Sequence, residues 1–129
     1  MASVSVLVVD DDIAVLASAR AVLSAAGYAV HEALSVRRAL QRLMASPPDV
    51  MITEVLMQDG DGMELISAAK KTKRDTRIIA VAKRRFIYGL DLLELASELG
   101  ADAVLEKPLE PETLLATVGR VVDLDARHV

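Results

Sequence analysis

With 129 residues and no cysteine, the chain is expected to form one domain without disulfides or thiolate chemistry, burying roughly two thirds of its unfolded surface. A net charge of -4 and a pI near 5.1 disfavour nucleic acid as a direct partner, and no apolar run reaches the ~20 residues of a membrane span. Met1-Ala-Ser-Val lacks the basic start of a signal peptide and His31 and His128 stand far apart, so we expect a cytoplasmic protein in which any metal site uses oxygen ligands.

Five apolar runs alternate with five segments of helical period, the pattern of an open parallel sheet covered by helices on both faces. The first strand is expected over 4–9, nearly all apolar as a strand buried on both faces should be. Asp12 then caps a helix in which Leu16, Ala19 and Leu23 recur on one side until Gly27 stops it. A second strand at 28–33 leads to Ser35, the cap of a helix whose stripe Val36, Ala39, Leu40, Leu43 and Met44 reads as core, ended by Ser46-Pro47-Pro48. The third strand, 49–54, ends on Glu54. After Gly62 a third helix turns Leu65, Ile66 and Ala69 inward. Its end carries the basic run Lys70, Lys71, Lys73, Arg74 and Arg77, read as a solvated surface. A fourth strand at 77–82 runs into Lys83-Arg84-Arg85-Phe86, and a fourth helix places Leu92, Leu93, Ala96 and Leu99 on one side before Gly100. The fifth strand, 103–106, precedes Lys107-Pro108. Pro111 suits the first turn of a last helix with Leu114, Leu115, Val118, Val121 and Val122 on one face. Residues 1–129 thus read as one domain with no room for an output module.

In parallel α/β sheets ligands bind where the strands end. The first strand ends in Asp10-Asp11-Asp12, the third in Glu54, and the fifth is followed by Lys107. Clustered carboxylates repel one another unless a cation neutralises them, so Mg²⁺ or a fixed Lys or Arg is expected there. Taken alone, the triplet needs no explanation beyond capping the next helix.

The pieces Leu7-Val-Val-Asp10-Asp11-Asp12, Pro48-Asp49, Asp59-Gly60-Asp61-Gly62, Gly100-Ala101-Asp102 and Lys107-Pro108-Leu109 together resemble the receiver domain of two-component response regulators. The resemblance spans essentially the whole chain. It implies a flavodoxin-like, doubly wound, five-stranded parallel sheet of order 2-1-3-4-5 in three α/β/α layers. It also implies phosphoryl transfer from a histidine kinase to an aspartate ending the third strand. By the same resemblance Asp10 and Asp11 would hold Mg²⁺ with the carboxylate at position 54 and the backbone carbonyl of Leu56, and Lys107 would act at the phosphoryl group. Asp12 is left as a helix cap.

Four positions depart from the family's pattern. Glu54 stands where the phosphorylated aspartate belongs, and its extra methylene pushes the carboxylate toward the space of the phosphoryl group. Gln58 replaces a proline, Ala82 the Ser or Thr that reads the phosphoryl group, and Val104 the aromatic residue that rotates on activation. The stretch after Ala82 resembles a receiver subgroup with a lengthened, glycine-rich loop, here basic. Either Arg84 or Arg85 reaches over Glu54 and Asp11 as a built-in counter-ion, or both are exposed on the loop.

Two functions follow. In the first, a pseudo-receiver no longer cycles through aspartyl phosphate, binds Mg²⁺ weakly and signals by binding a histidine kinase or another protein. In the second, a working phosphoacceptor uses Glu54, Asp59 or Asp61 with Mg²⁺. A nucleotide-binding enzyme lacks any GxGxxG or GxxxxGK[ST] motif after the first strand. By analogy, a homodimer would form through the fourth helix, fifth strand and fifth helix, around residues 91–98 and 112–120.

Overall fold

The sheet begins with Ser5–Val9 (β1), whose Val6, Leu7, Val8 and Val9 are all buried, and in the computed structural model residues 3–72 and 75–126 are described. Ala29–Ala33 (β2), Val50–Glu54 (β3), Arg77–Ala82 (β4) and Ala103–Glu106 (β5) join it in one parallel sheet of order β2-β1-β3-β4-β5. The register pairs Val6 with Val30 and Val50, and Ile52 with Ile79, so the apolar centres of the strands coincide.

Side chains alternate across this sheet with period two. Leu7, Val9, Met51, Ile78, Ala80 and Ala82 face one core, covered by Val36–Ala45 (α2), Gly62–Lys70 (α3) and Leu92–Leu99 (α4). Val6, Val8, Val50, Ile52, Ile79 and Val81 face the other, covered by Ile13–Ala25 (α1) and Pro111–Ala126 (α5). No helix among the described residues is long and apolar enough to cross a membrane.

Two expected core residues lie outside. Met44 is 76 % exposed because Val36, Ala39 and Leu43 define the buried line of α2, and Met44 is about 100° round the helix from Leu43. Leu99 is 39 % exposed as the last residue of α4, where the chain turns through Gly100 at φ 120°. Lys73, Arg74 and His128 lie outside the described residues.

Two antiparallel ribbons were not foreseen: Leu56–Met57 with Gly60–Asp61, and Phe86–Ile87 with Leu90–Asp91. Each ends in a carboxylate that caps the following helix, Asp61 accepting from the N–H of Glu64 and Asp91 from those of Leu93 and Glu94. The second ribbon turns at Tyr88 and Gly89, whose φ angles of 49° and 78° are the consecutive left-handed pair that a two-residue type I′ turn demands.

Candidate functional site

The carboxyl ends of β1, β3 and β5 bring Asp10, Glu54 and Lys107 together. Asp10 is buried and engaged on both oxygens, Oδ1 accepting from the N–H of Asp12 at 2.9 Å and Oδ2 standing 2.6 Å from Lys107 Nζ. Glu54, 5 % exposed, places Oε2 3.1 Å from the same ammonium, while Oε1 accepts a long bond, 3.4 Å, from the N–H of Lys83. Lys107 is positioned by its own N–H, which donates to the carbonyl of Ala82 at 3.0 Å. One cation therefore bridges two buried carboxylates that would otherwise repel.

Burial drives the Glu54 carboxyl above its ordinary value, and Lys107 opposes this only in part. Burial also pulls on the Lys107 ammonium, downward, but the hydrogen bond to Asp10 and the charge of Glu54 outweigh it and hold Lys107 above its usual value.

The other acidic residues have structural partners. Asp11 Oδ2 accepts from the backbone N–H of Gln58 at 3.0 Å. Asp12 caps α1 through the N–H of Ala14, as expected. Asp59 reaches across to the start of α2 and accepts from Val36 and Arg37, at 3.0 and 3.2 Å, bonds that hold its carboxyl below its ordinary value. Asp61 caps α3. The two carboxylates considered as substitute phosphoacceptors are thus helix caps.

Of the two readings of the basic loop, the one that sets Arg84 or Arg85 over Glu54 and Asp11 does not hold, and the exposed one holds for Arg84 alone. Arg85 forks onto both carboxylate oxygens of Asp91, each at 3.0 Å, and reaches Glu106 at 3.1 Å; Arg84 is exposed. Position along the chain put Arg85 near the site, but Asp91 and Glu106 compete for its planar donors with better geometry. The counter-ion of Glu54 is Lys107.

Ala82 is fully buried with no polar side-chain atom, and Val104 is half-buried against the α2–α3–α4 core. Leu56 opens the first ribbon opposite Asp61. Gly62 has a role that its motif alone did not reveal: a Cβ there would stand 2.3 Å from the carbonyl oxygen of Glu54, so only glycine allows α3 to start this close to β3. The backbone donors of Gln58 and Lys83 were likewise unforeseen, since a side-chain pattern carries no signal for them.

Asp10, Asp11 and Glu54 are hard oxygen donors of the kind that suits Mg²⁺. Their arrangement does not fit it: each carboxylate is already engaged by an N–H or an ammonium, and no described residues gather as a three-ligand acidic group.

Residues 6–119 match the family model described as the response regulator receiver domain. The chain belongs to that family. As a receiver domain it is a signalling module rather than an enzyme, with the five-stranded fold its relatives share. Among curated proteins it is 38 % identical over 117 residues to the response regulator MprA of Mycolicibacterium vanbaalenii, covering 88 % of this chain and 48 % of that protein. It is 32 % identical over 115 residues to the acid tolerance regulatory protein ActR of Rhizobium meliloti, covering 88 % and 57 %. The chain thus spans about half the length of these relatives. Among solved structures, a CheY-like receiver domain protein of Methanospirillum hungatei superposes with a TM-score of 0.89 at 26 % identity, covering 99 % of this chain and all of that one. Chemotaxis protein CheY4 of Vibrio cholerae gives 0.82 at 32 % identity, covering 93 % and 99 %.

Proposed function

We propose that this receiver domain takes part in two-component signalling without an aspartyl phosphate cycle and acts by protein–protein binding. The observation that carries this reading is the buried contact of Glu54, at the phosphoacceptor position, with Lys107 at 3.1 Å. The longer side chain fills the space in which a phosphoryl group would be built, and in-line attack tolerates little displacement of the attacking oxygen. Ala82 supports it as well, since a methyl group there has no hydroxyl with which to read a phosphoryl oxygen. On this reading Mg²⁺ binds weakly, because a metal has to compete with Lys107 for Asp10 and with Gln58 for Asp11. The partner is a histidine kinase or another cytoplasmic signalling protein, and a homodimer would use α4, β5 and α5.

The second reading, a working phosphoacceptor, is favoured by the presence of Asp10, Asp11 and Lys107 at one strand edge. Intact-mass analysis after incubation with Mg²⁺ and acetyl phosphate separates the two. The wild type should show no gain of about 80 Da, while Glu54→Asp should show one. A gain by the wild type that disappears in Glu54→Gln would establish the second reading instead.

A further inference from the structure

On the α1–α5 side of the sheet a cleft of about 460 Å³ lies between α1 and the loop joining β5 to α5. Its walls are apolar, with Ala14, Val15 and Val22 on α1 facing Pro108, Leu109 and Leu114. Such a volume lies within the range of small-molecule sites, roughly 300 to 1,000 Å³. From Asp12 to Val22 the α1 wall runs about 15 Å at ~1.5 Å per residue, long enough for an extended chain or a flat ring system.

The polar groups in the cleft are unevenly committed. The carboxylate of Asp12 is used in capping α1, and the ammonium of Lys107 is held by Asp10 and Glu54. Lys83 also lines the cleft; its side chain is exposed and makes no ion pair among the described residues. Both lysines come from the end nearest the acidic cluster, because Lys107 touches Glu54 through its ammonium and Lys83 through its backbone N–H. The result is an apolar trench with an uncommitted cation at one end.

We propose that this cleft binds a small amphipathic carboxylate, its acid group paired with Lys83 and its apolar body lying along α1 between Val15 and Leu114. An ion pair with Lys83 at one end of the trench gives orientation, and the trench gives affinity through buried area. The proposal does not depend on whether Glu54 can be phosphorylated.

The test is a titration of the ¹⁵N-labelled protein with three probes: octanoate, which has body and charge; 1-octanol, which has the body alone; and inorganic phosphate, which has charge alone. Octanoate should shift the amide signals of residues 14–22 and 107–114 saturably, with a Kd about tenfold below that of octanol, and phosphate should leave those signals in place. Lys83→Met should raise the octanoate Kd to the octanol value. Ser18→Phe, at an exposed position lining the cleft, should abolish binding of both. Unchanged signals elsewhere in each variant show that the fold is intact. Octanoate shifts that do not saturate or lie outside the cleft, equal affinity for octanol, or an octanoate advantage that survives Lys83→Met would each overturn the proposal.

Discussion

The backbone N–H of Gln58 donates to Asp11 Oδ2 at 3.0 Å, tying the loop after β3 to the carboxylate that follows β1. A proline, the residue the family pattern places here, has no N–H to give. Substituting Gln58 therefore separates backbone from side chain. Gln58→Pro should free Asp11 and tighten Mg²⁺ binding by about tenfold, whereas Gln58→Ala, which keeps the donor, should leave it unchanged; amide shifts on Mg²⁺ titration report both. Equal affinities in the two variants would show that the tie does not restrain Asp11.

Lys107 is the cation between Asp10 and Glu54, and its removal leaves two buried carboxylates without one. Lys107→Met should cost about 3 kcal/mol at pH 8, the usual scale for breaking a buried pair by removing one partner. The loss should be smaller at pH 5. Without Lys107 only the long bond from the N–H of Lys83 offsets burial at Glu54, so its carboxyl rises further and takes up a proton as the pH falls. Urea unfolding at the two pH values measures the difference, and an equal loss at both would contradict it.

Titration of Glu54 should be visible in the stability of the wild type. The folded state holds this proton more tightly than the unfolded chain, so stability falls as pH rises from the ordinary value of 4.5 through the raised folded one, then levels off. Lys107 works in the opposite direction at the alkaline end: its contribution is full below 10.5 and is lost as pH rises through its raised folded value. Glu54→Gln should remove the acidic-side fall and weaken the alkaline one, which Asp10 then sustains alone. Denaturant midpoints across the pH range test both halves.

Gly62 packs with no room for a side chain against the carbonyl of Glu54. Gly62→Ala should destabilise the fold by about 2 kcal/mol, since the obstacle is backbone that cannot rotate away. The same change at Gly119, where a Cβ meets nothing within 4 Å, should be neutral or mildly stabilising because it raises helix propensity. Thermal unfolding of the pair provides the comparison.

Arg85 holds the second ribbon closed by its fork onto Asp91 and its third contact with Glu106. Arg85→Lys keeps the charge but loses the fork, so amide exchange in residues 86–91 should quicken while the denaturant midpoint of the whole domain stays in place. Unaltered exchange would mean that the Tyr88–Gly89 turn closes the ribbon without help.

The fold was legible in the sequence because its signals are local and periodic. Alternating apolar runs such as 4–9 and 77–82 separate two faces, and residues such as Asp12 and Ser35 cap helices through bonds to neighbours two or three positions away. Met44 and Leu99 were misplaced because periodicity gives the direction of a side chain but not where the neighbouring layer stops. The elements of the site were legible by type and order: Asp10, Asp11, Glu54 and Lys107 were all singled out. Only the tertiary structure assigned their partners. Whether Arg85 or Lys107 neutralises Glu54 depends on which cation meets which carboxylate across strands far apart in sequence, and β5 places Lys107 within 3.1 Å of Glu54 while Asp91 and Glu106 take Arg85. The N–H of Gln58 on Asp11 belongs to the same class, since a backbone donor has no residue type to betray it.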